Sequence, residues 1–237
     1  MFDYETKTRS YYKNDDVARN YHESYTQLKG VKGFRFRYIA EREKRAVLKL
    51  LSKVKARRVI DIPTGTGKMA SVLKVKGCEV MACDVSENML RRAKVSYSEV
   101  GLNEAAFKIV DLQHAQRAIK ESYDVTLCIR LMHRVPNNIK KNMLEQIGKL
   151  SPYAIISFGI DNYYQAVRRM MRQLTFGGDE VGIETRPAKT EVESIIEDWF
   201  EIIDRCPVSR GVSSEWIYLL RARNWGVSDV RVSDGNS

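Results

Sequence analysis

The octapeptide DIPTGTGK (61–68) follows the apolar run RRVI (57–60) and joins two glycines, two threonines and a lysine in one loop. Such a loop suggests a phosphate or nucleotide cradle. A phosphate-binding P-loop needs the pattern GxxxxGK[ST], in which the last hydroxyl ligates magnesium. Ile62 stands where the first glycine should be and Met69 where the hydroxyl should be, so the pattern fails at both ends. The fingerprint GxGxx[GA] fits better, on Gly65-Thr66-Gly67-Lys68-Met69-Ala70. Asp84 lies 19 residues beyond Gly65, where an acid accepts ribose hydroxyls in adenosine-binding sites. The loop is therefore expected to approach an adenosine-containing ligand closely. Asp61, four residues before Gly65, narrows the choice. Its carboxylate has the wrong sign for a pyrophosphate and the right sign for a ligand bearing an amino group.

S-adenosylmethionine carries an α-ammonium, a sulfonium and no phosphate. The spacing Asp-x-x-x-Gly-x-Gly, here Asp61 to Gly67, resembles the glycine-loop motif of class I S-adenosylmethionine-dependent methyltransferases, small-molecule type. VIDIPTGTGKMASVLKVKGCEVMACDVSENMLRRAK (59–94) is similar to that family's first βαβα unit, and the resemblance runs over roughly residues 57–160. It implies that Asp61 holds the methionine amino group and that the Gly65–Gly67 backbone packs under the cofactor. Asp84 would bind the ribose, and Val85 would lie against the adenine. FKIVDLQ (107–113) resembles the third motif, in which Asp111 would meet the adenine amino group beside Leu112. YDVTLCIRLMHRV (123–135) resembles the fourth strand and its loop, with Ile129 and Arg130 lining the methionine end. Two positions depart from the family. Pro63 stands where glycine is usual, which removes one backbone donor, and Thr64 stands where a smaller residue is common.

The elements that must position these residues follow from punctuation and periodicity. RRVIDI (57–62), CEVMACD (78–84), AAFKIVD (105–111), YDVTLCIR (123–130) and YAIISFG (153–159) read as strands. Helices alternate with them: one ends at Gly77, one runs from an N-cap at Ser86 to Gly101, and one covers 137–150. This alternation predicts an α/β fold, a Rossmann-like doubly wound, mostly parallel sheet. FEIIDRCPV (200–208) and SEWIYLLRAR (214–223) read as an antiparallel closing hairpin. A helix opened by a Thr190–Glu193 capping box precedes it. The expected organisation is a basic N-terminal helical cap over 1–56, the methyltransferase-like domain over 57–225 and a disordered tail over 226–237. Within the cap, Asn14 or Asp15 would start a helix ending near Leu28, and Gly30 and Gly33 would break the chain before the next. Within the domain, 161–198 would be a lid or substrate insertion, comprising a helix (161–174) and a glycine-rich loop (176–189).

The net charge of +10 is unevenly spread. Residues 1–60 hold 16 Lys/Arg against 7 Asp/Glu, and the remainder is nearly balanced. With Phe34, Phe36 and Tyr38 interleaved, this segment suits an anionic partner such as RNA, a phosphorylated substrate or a membrane surface. Yet Ile39, Ala46, Val47, Leu50, Leu51 and Val54 recur at helical spacing, which suits a solvated helix whose other side is core. No apolar run reaches the ~18 residues of a membrane span. The cysteines Cys78, Cys83, Cys128 and Cys206 form no CxxC pair. A cytoplasmic protein without disulfides or zinc is expected.

The reaction implied by the resemblance is in-line methyl transfer to an oxygen or nitrogen of a small-molecule, lipid or saccharide acceptor. His133 is the best-placed general base, ahead of His114 and Tyr21, and Arg35 or Arg37 could meet the cofactor carboxylate. IRLM (129–132) follows the fourth strand in place of an NPPY-like motif, and no Pro-Cys pair is present there. Both observations argue against base- and glutamine-modifying branches. Three alternatives remain: an RNA-directed methyltransferase, a non-catalytic RNA- or partner-binding module, and a nicotinamide-dependent oxidoreductase.

Overall fold

The computed structural model describes residues 30–161, 187–209 and 213–226. The expected helix before Leu28, most of the 161–189 segment, Tyr21 and the tail beyond 226 lie outside the described residues.

Helix α1 (Gly30–Leu51) leads into β1 (Arg58–Asp61), α2 (Ala70–Lys76), β2 (Glu79–Asp84), α3 (Glu87–Glu99) and β3 (Ala106–Ile109). After a 3₁₀ turn come α4 (Ala115–Ala118), β4 (Val125–Cys128), α5 (Asn137–Leu150) and β5 (Tyr153–Gly159). The chain closes with α6 (Lys189–Glu197), β6 (Phe200–Pro207) and β7 (Glu215–Ala222). The seven strands form one sheet in the order β3-β2-β1-β4-β5-β7-β6. Strands β1 to β5 are parallel to their neighbours, and β7 runs antiparallel between β5 and β6. This is the Rossmann-like, mostly parallel sheet with an antiparallel closing hairpin that the pattern predicts.

Helices cover both faces because the central parallel strands β1, β4 and β5 are buried on both. Along β5, Ala154 and Ile156 join one core cluster while Ile155 between them joins the other. The first cluster is completed by Met143, Leu144 and Ile147 of α5 and by Ile196 of α6. The second is completed by Leu73 of α2, Tyr97 of α3, and Val47, Leu50 and Leu51 of α1. The apolar stripe of the basic segment is thus a core face. Its ends are tied to β6 and the residues after it, where Arg42 Nε donates to the Val208 carbonyl at 3.2 Å and Lys53 pairs with Asp204 at 2.7 Å. Phe34, Phe36 and Tyr38 lie exposed on the first half of the same helix.

The predicted caps divide. Gly77 closes α2 in the left-handed region (φ 64°), and the Ser86 hydroxyl accepts from the Met89 amide at the start of α3. Two expectations are corrected. Gly33 does not break the chain but lies buried inside α1. The Thr190–Glu193 capping box does not form. The N-cap falls two residues earlier, at Ala188, and Glu193 is drawn to Arg205 (2.8 Å) and the Tyr218 hydroxyl (3.2 Å) instead. A long-range ion pair and a buried phenol outcompete a local cap. Val192, Ile195 and Ile196 bury that end of the expected lid segment in the core. Among the described residues, no helix is long and apolar enough to cross a membrane.

If α1 belongs to the same cooperative unit as the sheet, truncating its buried side should cost what a core truncation costs. Leu50 is fully buried. Leu50→Ala should remove roughly 2–5 kcal/mol, read as one shifted transition in urea unfolding followed by circular dichroism. A separate early transition for α1 would contradict this.

Candidate functional site

Strand β1 is the centre of the site. Its neighbours β2 and β4 pair with it in register, Asp61 opposite Ala82 on one side and Leu127 on the other. From β1 the chain winds toward β2 and β3, and from β4 it winds toward β5. The carboxyl ends of β1 and β4 therefore flank a topological switch point, where open α/β sheets leave a crevice for a ligand. Asp61 ends β1, Asp84 ends β2 opposite Ile109, Asp111 follows β3, and Arg130 follows β4. The topology brings all four to one edge of the sheet.

Asp61 is almost entirely buried, at 1% exposure. Its Oδ2 accepts from the Thr64 hydroxyl at 2.7 Å and from the Tyr97 hydroxyl at 2.9 Å. Its Oδ1 has no hydrogen-bond partner. Burial pushes the Asp61 carboxyl up to about 7, against the pull of the Thr64 and Tyr97 hydrogen bonds. Thr64, a departure from the family pattern, is thus a donor to the key acid. Tyr97 was missed by sequence reasoning, because a tyrosine in α3 carries no local sign that its ring crosses to the end of β1. The Ile62–Pro63 peptide between these groups is cis.

Asp84 is buried at 5% exposure and fastens the loop. Its Oδ2 accepts from the Gly65 amide and its Oδ1 from the Ser86 amide, each at 2.9 Å. Burial again raises this carboxyl, to about 6, while these amides oppose the shift. The two glycines differ in what they permit. Gly65 has φ 56° and open space where a side chain would stand. Gly67 has φ 81°, and a Cβ there would lie 3.0 Å from Ser96 Cβ and 3.1 Å from the Ala93 backbone. Gly67 lets the loop close against α3, while Gly65 leaves the loop open to a ligand. The Gly65 N–H is already committed to Asp84, and the Gly67 N–H donates to the Thr64 carbonyl at 3.0 Å. These are amides that a pyrophosphate would need.

The remaining candidates take varied positions. Val85 is half-buried next to Asp84. Asp111 Oδ1 accepts from the Gln113 amide at 3.0 Å and starts the 3₁₀ turn, whose first residue, Leu112, is buried in the core. Ile129 is buried against the opposite cluster. Arg130 adopts φ 66°, rare for a residue with a side chain, and its amide donates to Ser157 Oγ at 2.7 Å. His133 is exposed in a 3₁₀ turn, where its Nε2 accepts from Arg134 Nε at 3.2 Å. Glu43 and Glu215, which sequence reasoning did not single out, are both buried beside Arg130. Arg130 Nε lies 3.0 Å from Glu43 Oε1 and 3.6 Å from Glu215 Oε2, and Lys68 pairs with Glu43 Oε2. Although burial opposes it, the charges of Arg130 and His133 hold the Glu215 carboxyl below its ordinary value.

These residues fit S-adenosylmethionine on their chemistry. A buried carboxylate with one oxygen saturated by hydroxyls and the other unpartnered suits an ammonium. The cations Lys68 and Arg130 stand on the same side of the sheet edge and suit a carboxylate.

The comparisons with known proteins agree with this chemistry. The family model described as a methyltransferase domain matches residues 59–151. Two ubiquinone biosynthesis O-methyltransferases align with part of the chain. That of Paracidovorax citrulli (strain AAC00-1) is 25% identical over 87 residues, and that of Dechloromonas aromatica (strain RCB) is 26% identical over 81. The matched stretches cover 37% and 34% of this chain and the same shares of those proteins, so only about a third of each relative is spanned. Among solved structures, magnesium protoporphyrin IX methyltransferase from Synechocystis PCC 6803 with bound SAH has a TM-score of 0.75 at 18% identity. It covers 92% of this chain and 100% of its own. An N-methyltransferase from Bradyrhizobium japonicum WM9, in complex with S-adenosyl-L-homocysteine, has a TM-score of 0.58 at 13% identity and covers 78% of this chain and 88% of its own. These structures share the fold.

A carboxyl raised on folding favours the protonated form in the native state. Its contribution to stability is full below about pH 4 and is lost as pH rises through about 7 for Asp61. Asp84 acts in the same direction. The melting temperature of the ligand-free protein should therefore fall between about pH 4 and 7. Asp61→Asn keeps an oxygen for Thr64 and Tyr97 and removes the charge. It should flatten that slope and stabilise the protein at pH 8 by roughly 1–4 kcal/mol. Thermal unfolding across pH checks this; an unchanged slope would contradict it.

Proposed function

We propose that this chain, whose residues 59–151 match the methyltransferase-domain model, is a class I S-adenosylmethionine-dependent methyltransferase that transfers a methyl group to an oxygen or nitrogen of a small-molecule acceptor. The observation that carries the reading is Asp61, buried at the switch point with Oδ1 unpartnered. The names of the two ubiquinone biosynthesis O-methyltransferases favour oxygen as the acceptor atom.

When bound, S-adenosylmethionine supplies a methyl group on a sulfonium, which is already electrophilic. The chain's work is then to bind, orient and exclude water. Asp61 takes the ammonium on Oδ1, which also draws its own proton off. Lys68 and Arg130 face the carboxylate. Gly65 lets the backbone come close, and Asp84, Val85 and Asp111 line the side toward β2 and β3 where the nucleoside belongs. His133 is the residue assigned to take a proton from a hydroxyl or ammonium acceptor; its Nε2 must first give up the Arg134 N–H. The commitment of the Gly65 and Gly67 amides within the loop weighs against a nicotinamide dinucleotide. The basic surface of α1 keeps RNA as an alternative acceptor, but the helix's other side is core.

Calorimetric titration tests the cofactor directly. S-adenosylhomocysteine should bind in roughly the micromolar range. Because the ammonium selects the ionised carboxylate, affinity should rise about tenfold or more between pH 5.5 and 8. Asp61→Asn should weaken binding at least tenfold and abolish that rise. NADH binding in place of the adenosyl ligands would overturn the reading. Labelled-methyl transfer to a panel of hydroxyl- and amine-bearing compounds, with RNA in parallel, then identifies the acceptor.

A further inference from the structure

Glu43 is the buried charge that the proposed chemistry leaves unused. It sits on α1 at 0% exposure. One carboxylate oxygen takes the Lys68 ammonium and the other accepts from Arg130 Nε at 3.0 Å. Lys68 directly follows Gly67 in the loop after β1, and Arg130 lies two residues beyond the end of β4. One side chain thus spans the two lips of the switch-point crevice, and it comes from a helix outside the βαβ units. Burying such charges costs desolvation that their attraction repays poorly, so a buried ion cluster is weak grounds for stability. Arg130 also holds a left-handed backbone, a local strain that surrounding contacts must hold in place. Both costs fall at the crevice.

We propose that Glu43 is a positioning residue: by bridging Lys68 and Arg130 it fixes the cations that receive the carboxylate of the cofactor's amino-acid end, and it makes α1 part of the cofactor site. The inference rests on the cofactor reading above. A guanidinium offers five N–H donors in a fixed fork, so an acid engaging its Nε edge orients the whole group. Lys68, on a flexible stem, gains a direction in the same way. Asp61 serves the ammonium and stands apart from this arrangement, so the two ends of the amino acid have separate supports.

The test compares two ligands on the full chain. S-adenosylhomocysteine carries the amino-acid end, and 5′-methylthioadenosine shares the nucleoside and lacks it. With Glu43→Gln, calorimetry should show S-adenosylhomocysteine weakened at least tenfold and methylthioadenosine changed less than threefold. Glu43→Asp keeps the charge on a shorter stem and should show a smaller loss with the same selectivity; it carries the test where Glu43→Gln does not fold. Equal losses for both ligands would mean that Glu43 only holds the fold together, and no loss would mean that it has no part in binding. Either result overturns the inference while wild-type binding stands. Failure of the wild type to bind either ligand overturns the cofactor reading, and this inference with it.

Discussion

The pairing of β1 with β4 is the constraint on which the rest of the molecule depends. Two parallel neighbours whose chains depart in opposite directions cannot both be covered at their carboxyl ends by their own crossovers. The gap that results is unavoidable, and the sequence places its most informative residues around it. Asp61 ends β1, and Arg130 follows β4. Their separation follows from strand spacing and register, so the site inherits the rigidity of the sheet. The fully buried apolar runs on both faces of β1, β4 and β5 supply that rigidity.

Charge is buried here against its preference. Asp61, Asp84, Glu43 and Glu215 are each at most 7% exposed. For Asp61 and Asp84, desolvation is the largest influence and raises the carboxyl above its ordinary value. Glu43 is raised as well, by burial and then by its neighbour Glu215, although Lys68 opposes both. A fold selected for stability alone would fill these positions with apolar side chains. The ligand-free protein therefore carries a local electrostatic cost, and a ligand with complementary charges relieves it. The scaffold's stability and the site's readiness to bind pull in opposite directions at the same atoms.

Much of this was legible in the sequence because it is local. The loop DIPTGTGK, the acid 19 residues beyond Gly65 and the alternation of strands and helices are short-range patterns, and short-range patterns survive folding when nothing distant competes. Gly77 and Ser86 behave as their types predict for that reason. Gly33 and the Thr190–Glu193 pair do not: Gly33 lies buried inside α1, and Glu193 is claimed by the distant Arg205 and Tyr218. The least legible part was the ion cluster. Glu43 and Arg130 are 87 positions apart, and Tyr97 meets Asp61 across 36. No periodicity links such positions; only the sheet order does.

The choice between ligands of the same fold class comes down to where the loop's amides are spent. A dinucleotide-binding loop presents its N–H groups to a pyrophosphate, with the helix N-terminus behind them. Here Gly65 gives its N–H to Asp84 and Gly67 gives its N–H to Thr64, so the loop is saturated from within. Helix α2 begins only at Ala70 and runs seven residues, which leaves little macrodipole to aim at an anion. What the loop presents instead is a carboxylate with one oxygen unpartnered, and the ion pairs of Lys68 and Arg130 place cations on the same edge. Acid and base together at one end suit an amino acid, and the separate acids toward β2 and β3 suit the hydroxyls and amine of a nucleoside. A ligand joining an amino acid to a nucleoside without phosphate satisfies both ends at once.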